Sequence, residues 1–194
     1  GRDVFYEGEI AKQIATFSRE RDGLLTTEDM SRYRARWDEP IHVDYHGHRV
    51  YEMPPNSSGH ILLQELNFIE GFDIPGMGCL TPDSIHVMVE AKKLAFADRE
   101  QHMADPDWID VPIDRMLSKE YAAERARQID MSKAAQNLVS GISESKDETT
   151  CFTVADGEGN AVCILQSIQG GCGSSLIAGR TGILLNNRMT YWHL

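Results

Sequence analysis

Hydrophobic side chains in the first part of the chain recur at the spacing of an α-helix and are interrupted by turn residues. Phe5, Ile10, Ile14 and Phe17 fall near one face of such a helix, and Asp22-Gly23 marks its end. This pattern predicts an amphipathic helix whose apolar face packs against a core.

Capping signals predict the starts of further helices, because a side-chain oxygen at a helix start satisfies free backbone N–H groups. In one case proline also occupies the first helical position, where its missing N–H costs nothing. The predicted helices run from Thr26, with Asp29 three residues on, toward Trp37; from Thr81 and Pro82 to about Met103; and from Ser118 through Ala126.

A turn-rich loop, Pro54–Gly59, precedes one more predicted helix, which either Ser57 or Ser58 caps. Apolar spacing assigns core-facing residues to this helix and to the one that starts at Thr81. These residues are Leu62, Leu66 and Ile69 on the former, and Ile85, Val89, Ala95 and Phe96 on the latter.

Strand-like segments flank short turns at two places in the chain. The first is a hairpin of Ile41–Tyr45 and Arg49–Glu52 around His46-Gly47-His48. The second joins Cys151–Ala155 to Ala161–Ile168 through Asp156–Asn160, and is followed by a Gly- and Ser-rich loop, Gly170–Gly179, and a short strand, Ile183–Leu185. The pattern as a whole predicts an α+β protein.

Between these helices and the later strands, the composition changes. Ser132–Glu148 has few large apolar residues and many Ser, Lys, Asp and Glu, which predicts an exposed, mobile linker. The chain therefore divides into a helical part, residues 1–148, and a β-rich part, residues 149–194, that opens with Thr149-Thr150.

Composition narrows the possible functions. The chain has 194 residues, 41% of them hydrophobic and 25% charged, which is an ordinary globular balance. A formal net charge of -11 disfavours a nucleic-acid partner, and no apolar run reaches the length of a membrane span. The four cysteines form no C-x-x-C pair and no histidine stands at zinc-ligand spacing, so we interpret them as free or buried thiols and expect no metal or organic cofactor.

A threonine at the end of an exposed linker is chemically suggestive. If the bond between Glu148 and Thr149 were cut, Thr149 would carry a hydroxyl and a free α-amine, and the amine would serve as the base that activates the hydroxyl. Many loops end at a threonine-rich strand, so this pattern alone favours a structural threonine.

Several segments, in order and across nearly the whole chain, resemble the gamma-glutamyltransferase (gamma-glutamyltranspeptidase) family of N-terminal-nucleophile hydrolases. The order and spacing of these segments make the match more specific than any single motif. They are Phe5–Gly8, Gly23–Thr26, Met53–Pro55 with Ser57–Gly59, Ala97–Arg99 with Asp105-Pro106, Thr149–Val154, Asp156, Gly159–Val162, and Gly182–Asn187 with Met189.

The resemblance implies a four-layer αββα fold, of which this chain is a fragment, and a precursor that cuts itself at Glu148–Thr149 into large and small subunits that stay associated. It implies that Thr149 is the nucleophile, with Thr150 a less favoured alternative. Ser167 stands where the family usually has a threonine that hydrogen-bonds the nucleophile. Gln169 stands where the family has an asparagine that contacts the substrate.

The segment after Leu185 departs from the pattern of relatives that act on glutathione. The family's Asn-Asn-Gln/Glu-Met-Asp-Asp holds the α-amine of a glutamyl group, whereas this chain has Asn187, Arg188 and Tyr191 at the second, third and sixth positions. A guanidinium repels an ammonium group. We therefore expect preference for an acyl group without that amine, such as a glutaryl chain whose distal carboxylate pairs with Arg188, as in an acylase-like branch of the family.

The expected partners are a small amide substrate, γ-glutamyl or glutaryl-like, and water or an acceptor amine. The family's oxyanion-binding glycine pair and early substrate-binding arginine have no counterpart in these residues, so the chain by itself is expected to be inactive or poorly active. The alternative is a non-catalytic interaction module with a structural threonine pair. The compartment stays open.

Overall fold

A computed structural model describes residues 1–136 and 147–191. The chain forms two compact units, one of residues 1–35 with 143–194 and the other of residues 36–142. Helices and antiparallel strands occur in the described residues, so the α+β prediction is confirmed. The linker predicted for residues 132–148 lies largely outside the described residues.

Three helices open the first unit, where the sequence predicts two. They are Arg2–Tyr6 (α1), Glu9–Arg19 (α2) and Thr27–Arg32 (α3). The predicted first helix is interrupted at Gly8, the N-cap of α2, because the chain turns there so tightly that a Cβ atom would lie 3.0 Å from the backbone of Val4. Only glycine fits that approach without displacing backbone.

The capping box at the start of α3 is confirmed. Thr26 Oγ1 accepts the N–H of Asp29 at 3.2 Å, and Asp29 Oδ2 accepts the N–H of Thr26 at 2.8 Å. The prediction that this helix runs toward Trp37 is wrong, because Tyr33 is already extended. Its carbonyl accepts a bond of 2.9 Å from the guanidinium of Arg2, so a distant contact stabilises the early end.

The first unit also contains the second predicted hairpin. Its strands are antiparallel and longer than predicted, and they frame the turn at Asp156, whose carboxylate accepts the N–H groups of Glu158 and Asn160 at 2.9 Å each. These strands are Asp147–Ala155 (β3) and Ala161–Gly170 (β4).

Ile183–Leu185 forms only an isolated bridge, between Leu184 and Ile177, instead of the predicted strand. Gly179 and Gly182 both have left-handed φ values, of 56° and 74°, and turn the chain between the two bridged residues. A 3-10 helix, Arg188–Tyr191, follows.

The core of the first unit joins segments that are far apart in sequence. Ala11, Ile14 and Met30 from the helices are buried together with Ala178 from the loop after β4. The residues before and after the linker therefore share one apolar cluster.

The second unit begins with the predicted hairpin. Ile41–Tyr45 (β1) and His48–Glu52 (β2) pair around His46 and Gly47, both of which have left-handed φ values. This geometry is the two-residue turn that matches the twist of antiparallel strands.

Five helices follow in the second unit, and two of them, α5 and α7, are short additions that the sequence pattern did not predict. Their bounds are Gly59–Ile69 (α4), Ile74–Met77 (α5), Pro82–His102 (α6), Ile113–Met116 (α7) and Lys119–Ala126 (α8).

Local capping predictions hold well in this unit. Thr81 and Ser84 form a capping box at the start of α6, and Ser118 Oγ accepts the N–H of Tyr121 at 3.2 Å. At α4, Ser58 holds the N-cap position without a side-chain bond, and the Oγ of Ser57 instead accepts the N–H of Gly59 at 3.4 Å.

The assignment of core-facing residues was mostly wrong. Leu62 and Ile85 are each 42% exposed, Val89 is 45% exposed and Phe96 is 39% exposed, whereas Ile69 and Ala95 are buried and Leu66 is half-buried as expected. Apolar residues lie on several sides of α6, so their spacing does not select one face. The faces that α4 and α6 bury combine apolar residues with small and polar ones: His60, Leu63, Gln64, Asn67, Phe68 and Ile69 on α4, and Ser84, Val87, Glu90, Ala91, Leu94, Ala95 and Asp98 on α6.

Two of those buried polar side chains, Gln64 on α4 and Asp98 on α6, are paired with each other. Asp98, which belongs to one of the family-like motifs, is bound through Oδ1 to the guanidinium of Arg125 at 2.6 Å and through Oδ2 to the amide of Gln64 at 2.8 Å. A buried carboxylate is tolerated when such partners compensate for lost water. We therefore assign this motif residue a structural role.

Candidate active site

Two hydroxyl groups meet across the hairpin of the first unit. The register of β3 and β4 places Thr149 opposite Ser167, and Thr149 Oγ1 donates a hydrogen bond of 3.0 Å to Ser167 Oγ. Thr149 is exposed and Ser167 is half-buried. The structure thus brings together the two residues that the sequence proposed as nucleophile and hydroxyl partner.

The strand register shifts at the bond that was predicted to be cut. Glu148 pairs with Gln169, but Thr149 pairs with Ser167, so Ile168 is an extra residue on β4. Such a β-bulge bends the strand locally and redirects side chains. Its position opposite Glu148–Thr149 has no signal in the sequence, because a bulge exists only in a paired strand.

Gln169 has an unusual backbone at this bulge. Its φ is 74°, in the left-handed region that residues with a side chain rarely adopt, and only 4% of its surface is exposed. Its N–H donates to Ser167 Oγ at 3.0 Å. Ser167 Oγ thus accepts from both Gln169 and Thr149, which uses its two lone pairs and leaves those of Thr149 Oγ1 for attack on a carbonyl carbon.

The predicted substrate-binding segment lies against the same end of β4. The N–H of Asn187 donates to the carbonyl of Ile168 at 3.3 Å, and Asn187 Oδ1 accepts the N–H of Gly170 at 3.0 Å. This amide oxygen therefore binds the protein backbone. Arg188, whose N–H donates to Asn186 Oδ1 at 3.0 Å, is exposed at the start of the 3-10 helix.

The side chains of Glu148 and Tyr191 lie outside the described residues. Their predicted roles, at the processing bond and in substrate binding, therefore stay predictions.

An open groove of about 680 Å³ runs beside this end of the hairpin. Ser167 and Thr150 both line it, whereas Thr149 is not a lining residue and is connected to it through the hydrogen bond to Ser167. The residues that line the groove are Thr150, Leu165, Gln166, Ser167, Ile168 and Gly171.

A pair of thiols shares the strand face of Thr149. The Sγ atoms of Cys151 and Cys163 lie 3.6 Å apart across the hairpin, and these two cysteines, with Cys79 and Cys172, are exposed and not joined in a disulfide bond. The interpretation as free thiols is confirmed. The sequence did not reveal the proximity, because Cys163 pairs with Thr153 and meets Cys151 only diagonally.

The described ranges contain no cluster of three or more His, Cys, Asp or Glu side chains arranged to hold a metal ion. None of the helices described is both long and apolar enough to cross a membrane.

Comparison with known proteins places these features in context. The family model described as gamma-glutamyltranspeptidase matches residues 1–193. The glutathione hydrolase proenzyme of Escherichia coli strain K12 is 42% identical over 196 residues, which cover 97% of this chain and 33% of that protein. The acylase ACY 1 proenzyme of Pseudomonas sp. strain SE83 is 38% identical over 192 residues, covering 97% of this chain and 34% of that protein.

A solved structure shows the same likeness. The crystal structure of cephalosporin acylase from Bacillus halodurans superposes with a TM-score of 0.78 at 37% identity, over 96% of this chain and 33% of that one. The chain thus spans about a third of the length of these relatives and corresponds to part of their N-terminal-nucleophile hydrolase fold.

Proposed function

Because the chain belongs to the gamma-glutamyltranspeptidase family, we propose that the full-length protein is a self-processing amidohydrolase or acyltransferase that uses Thr149 as its nucleophile. Its substrate is a γ-glutamyl or related, glutaryl-like amide. The observation that carries this proposal is the hydrogen bond of 3.0 Å between Thr149 Oγ1 and Ser167 Oγ, at a register shift that falls on the bond before Thr149.

Self-processing begins when Thr149 Oγ1 attacks the carbonyl carbon of Glu148. The peptide C–N bond breaks as the Glu148 acyl group moves to Oγ1, and the proton of the hydroxyl passes, directly or through a water, to the amide nitrogen, which becomes the α-amine of Thr149. Water then hydrolyses the ester, which leaves a carboxylate on Glu148 and restores the Thr149 hydroxyl. Two chains result, one of which begins at Thr149.

Turnover uses the same hydroxyl with a new base. The freed α-amine, whose ordinary pKa is near 8, takes the proton of Oγ1 as the oxygen attacks the substrate amide. An acyl-enzyme forms and the amine product leaves with a proton. Water or an acceptor amine then removes the acyl group. Ser167 fixes the direction of the Thr149 hydroxyl in both reactions.

The two products of processing are proposed to stay associated. Ala11, Ile14 and Met30, which precede the cut, are buried together with Ala178, which follows it. A Cβ atom placed on Gly179 would lie within 4 Å of Gln13, so the chain after the cut passes beside α2 there. Separation of the subunits would expose this shared apolar cluster to water, which is unfavourable.

Arg188 favours an acyl group that carries a carboxylate and no α-amine. Asn187, its neighbour, is bound to the bulged end of β4, and the 3-10 helix begins at Arg188, the next residue. A guanidinium binds a carboxylate with two parallel hydrogen bonds and repels an ammonium group. The relatives that match the chain include a protein named as a glutathione hydrolase and one named as an acylase. Their names do not select between a γ-glutamyl and a glutaryl-like substrate, so the following experiment tests this choice.

The proposal is tested on the full-length protein by intact mass analysis and by hydrolysis of γ-glutamyl and glutaryl anilides. We expect two subunits, the second beginning at Thr149, and faster hydrolysis of the glutaryl compound. Thr149→Ala is expected to abolish both cutting and turnover, and Arg188→Gln to reduce the preference for the glutaryl compound.

An intact polypeptide without turnover would instead support a non-catalytic interaction module. Turnover that survives Thr149→Ala would rule out the assigned nucleophile, and a clear preference for the γ-glutamyl anilide would rule out only the role of Arg188.

A further inference from the structure

We infer that the backbone of Gln169, held in its left-handed conformation by Asn187, positions the Glu148–Thr149 bond for self-processing. This role is separate from any contact between the Gln169 side chain and the substrate. The inference rests on the proposed self-processing and names the residues that prepare the bond for it.

The first observation is the place of the bulge. All pairs from Thr149↔Ser167 to Ala155↔Ala161 are in continuous register, and the shift occurs between Glu148 and Thr149. The peptide group that links these two residues therefore lies where the regular ladder is broken. A peptide group outside the regular ladder is easier to rotate toward an attacking hydroxyl than one held by two neighbouring strand bonds.

The second observation is how the bulge is maintained. Gln169 has a φ of 74° in a buried position, a conformation that costs free energy for any residue other than glycine. Asn187 binds on both sides of it, through its N–H to the carbonyl of Ile168 at 3.3 Å and through Oδ1 to the N–H of Gly170 at 3.0 Å. These two bonds offset the cost by fixing the peptide groups before and after Gln169.

The third observation connects the bulge to the reacting hydroxyl. In this conformation the N–H of Gln169 points back to Ser167 Oγ at 3.0 Å, and the same Oγ accepts the bond from Thr149 Oγ1 at 3.0 Å. A residue 169 in ordinary extended conformation would send the chain that follows it in another direction and remove the extra residue from β4. Because a slip of one residue moves side chains to the opposite face of a strand, the pairing of Ser167 with Thr149 depends on this bulge.

The test compares two substitutions at position 169 in the full-length precursor. Gln169→Gly removes the whole side chain but adopts a left-handed φ readily, whereas Gln169→Val is β-branched and strongly disfavours it. We expect the glycine variant to cut itself at least about tenfold faster than the valine variant, since a strain of this kind is of the order that changes a rate tenfold. The readout is the rate at which the chain beginning at Thr149 appears by mass analysis.

A matched pair at Asn187 provides a second measurement that does not depend on position 169. Asn187→Asp keeps an oxygen that accepts the N–H of Gly170, and Asn187→Ala removes it. We expect slow processing in the alanine variant and recovery in the aspartate variant. Thermal melting of each variant in an uncut Thr149→Ala background identifies any that fail to fold.

The possible outcomes separate this inference from the proposed function. A wild-type precursor that is never cut at Glu148–Thr149 overturns both. A wild-type precursor that is cut, with equal rates for the glycine and valine variants and for the two Asn187 variants, overturns this inference alone. If the glycine and valine variants were both processed slowly and at the same rate, the slow processing would result from loss of the Gln169 side-chain amide. That result would also reject the role of the backbone.

Discussion

The hydroxyl of Thr149 donates to the hydroxyl of Ser167 across neighbouring strands, at 3.0 Å. Ser167 Oγ is the acceptor for the hydroxyl of the proposed nucleophile. It is itself held in place by the N–H of Gln169. A fixed acceptor directs the threonine proton away from the face from which a carbonyl carbon is attacked.

Replacing Ser167 is expected to slow catalysis without abolishing it. A neutral hydrogen bond contributes about 1 kcal/mol, so Ser167→Ala is expected to lower kcat by about fivefold in the full-length protein. Ser167→Thr keeps the hydroxyl and serves as the control, with a kcat close to that of the wild type. Equal kcat values for the alanine and threonine variants would show that Ser167 does not orient the nucleophile.

The Asp98–Arg125 pair is expected to stabilise the second unit. The pair has side chains that are 4% and 16% exposed and a separation of 2.6 Å, so Asp98→Ala leaves a largely buried guanidinium without its carboxylate. Removing one partner of a buried pair costs about 3 kcal/mol, which a thermal or denaturant melt of the full-length protein would measure.

The matched control for Asp98 is the exposed pair Arg36–Asp107, at 2.9 Å with side chains 50% and 61% exposed. Asp107→Ala is expected to leave the free energy of unfolding almost unchanged, because water already screens this pair. Similar losses in Asp98→Ala and Asp107→Ala would contradict the structural importance of the buried pair.

Glu90 is expected to make the second unit sensitive to acid. Burial raises the pKa of its carboxyl, but hydrogen bonds from Lys93, at 2.6 Å, and from the N–H of Ala135, at 3.0 Å, outweigh burial, with His86 adding to them, so the pKa is lower than its ordinary value. A depressed pKa in the folded state contributes stability above the ordinary carboxylate pKa, and that stability is lost as the pH falls through the folded-state value.

The measurement for Glu90 is the free energy of unfolding as the pH falls from about 6 to about 3, a range that spans the ordinary glutamate pKa. Other carboxylates titrate there as well, so the wild type is compared with Glu90→Gln, which is expected to lose less stability over the same range. Parallel curves for the two proteins would show that Glu90 does not contribute.

Thiol crosslinking is expected to report the register of β3 and β4. With Sγ atoms 3.6 Å apart, Cys151 and Cys163 need only small side-chain rotations to reach bonding distance. In the full-length protein, exchange with a small symmetric disulfide would join the two sulfurs and release two thiols. Peptide mapping is expected to find this crosslink, with Cys163→Ser as the control; a crosslink of Cys151 to Cys172 instead would contradict the register.

Features that depend on neighbouring residues could be predicted well. The capping boxes at Thr26 and Thr81 join atoms three residues apart, so the sequence contains both partners within one turn of helix. The hairpin turn at His46 and Gly47 is local in the same way. The early end of α3 was not predictable, because it involves Arg2, which lies 31 residues before Tyr33.

In the candidate site, too, some features could be predicted from the sequence and others depend on contacts between distant residues. Thr149 and Ser167 could be assigned from the family-like motifs and the strand pattern, since both positions follow from the order of residues. The sequence did not predict the bulge at Ile168, the left-handed Gln169 or the bonds of Asn187 to the backbone. Each of these features requires the pairing of β3 with β4 and the return of the chain at Asn187.

The sequence by itself determined the positions of most helices and strands, the order of the motifs, and the threonine at which the β-rich part begins. Tertiary structure decided which side of α6 is buried, where Asp98 finds its partner, and how the chain is bent opposite Glu148–Thr149. The physical reason is that capping and turn formation act over a few neighbouring residues, whereas burial, ion pairing and strand register depend on groups that folding brings together from distant parts of the chain.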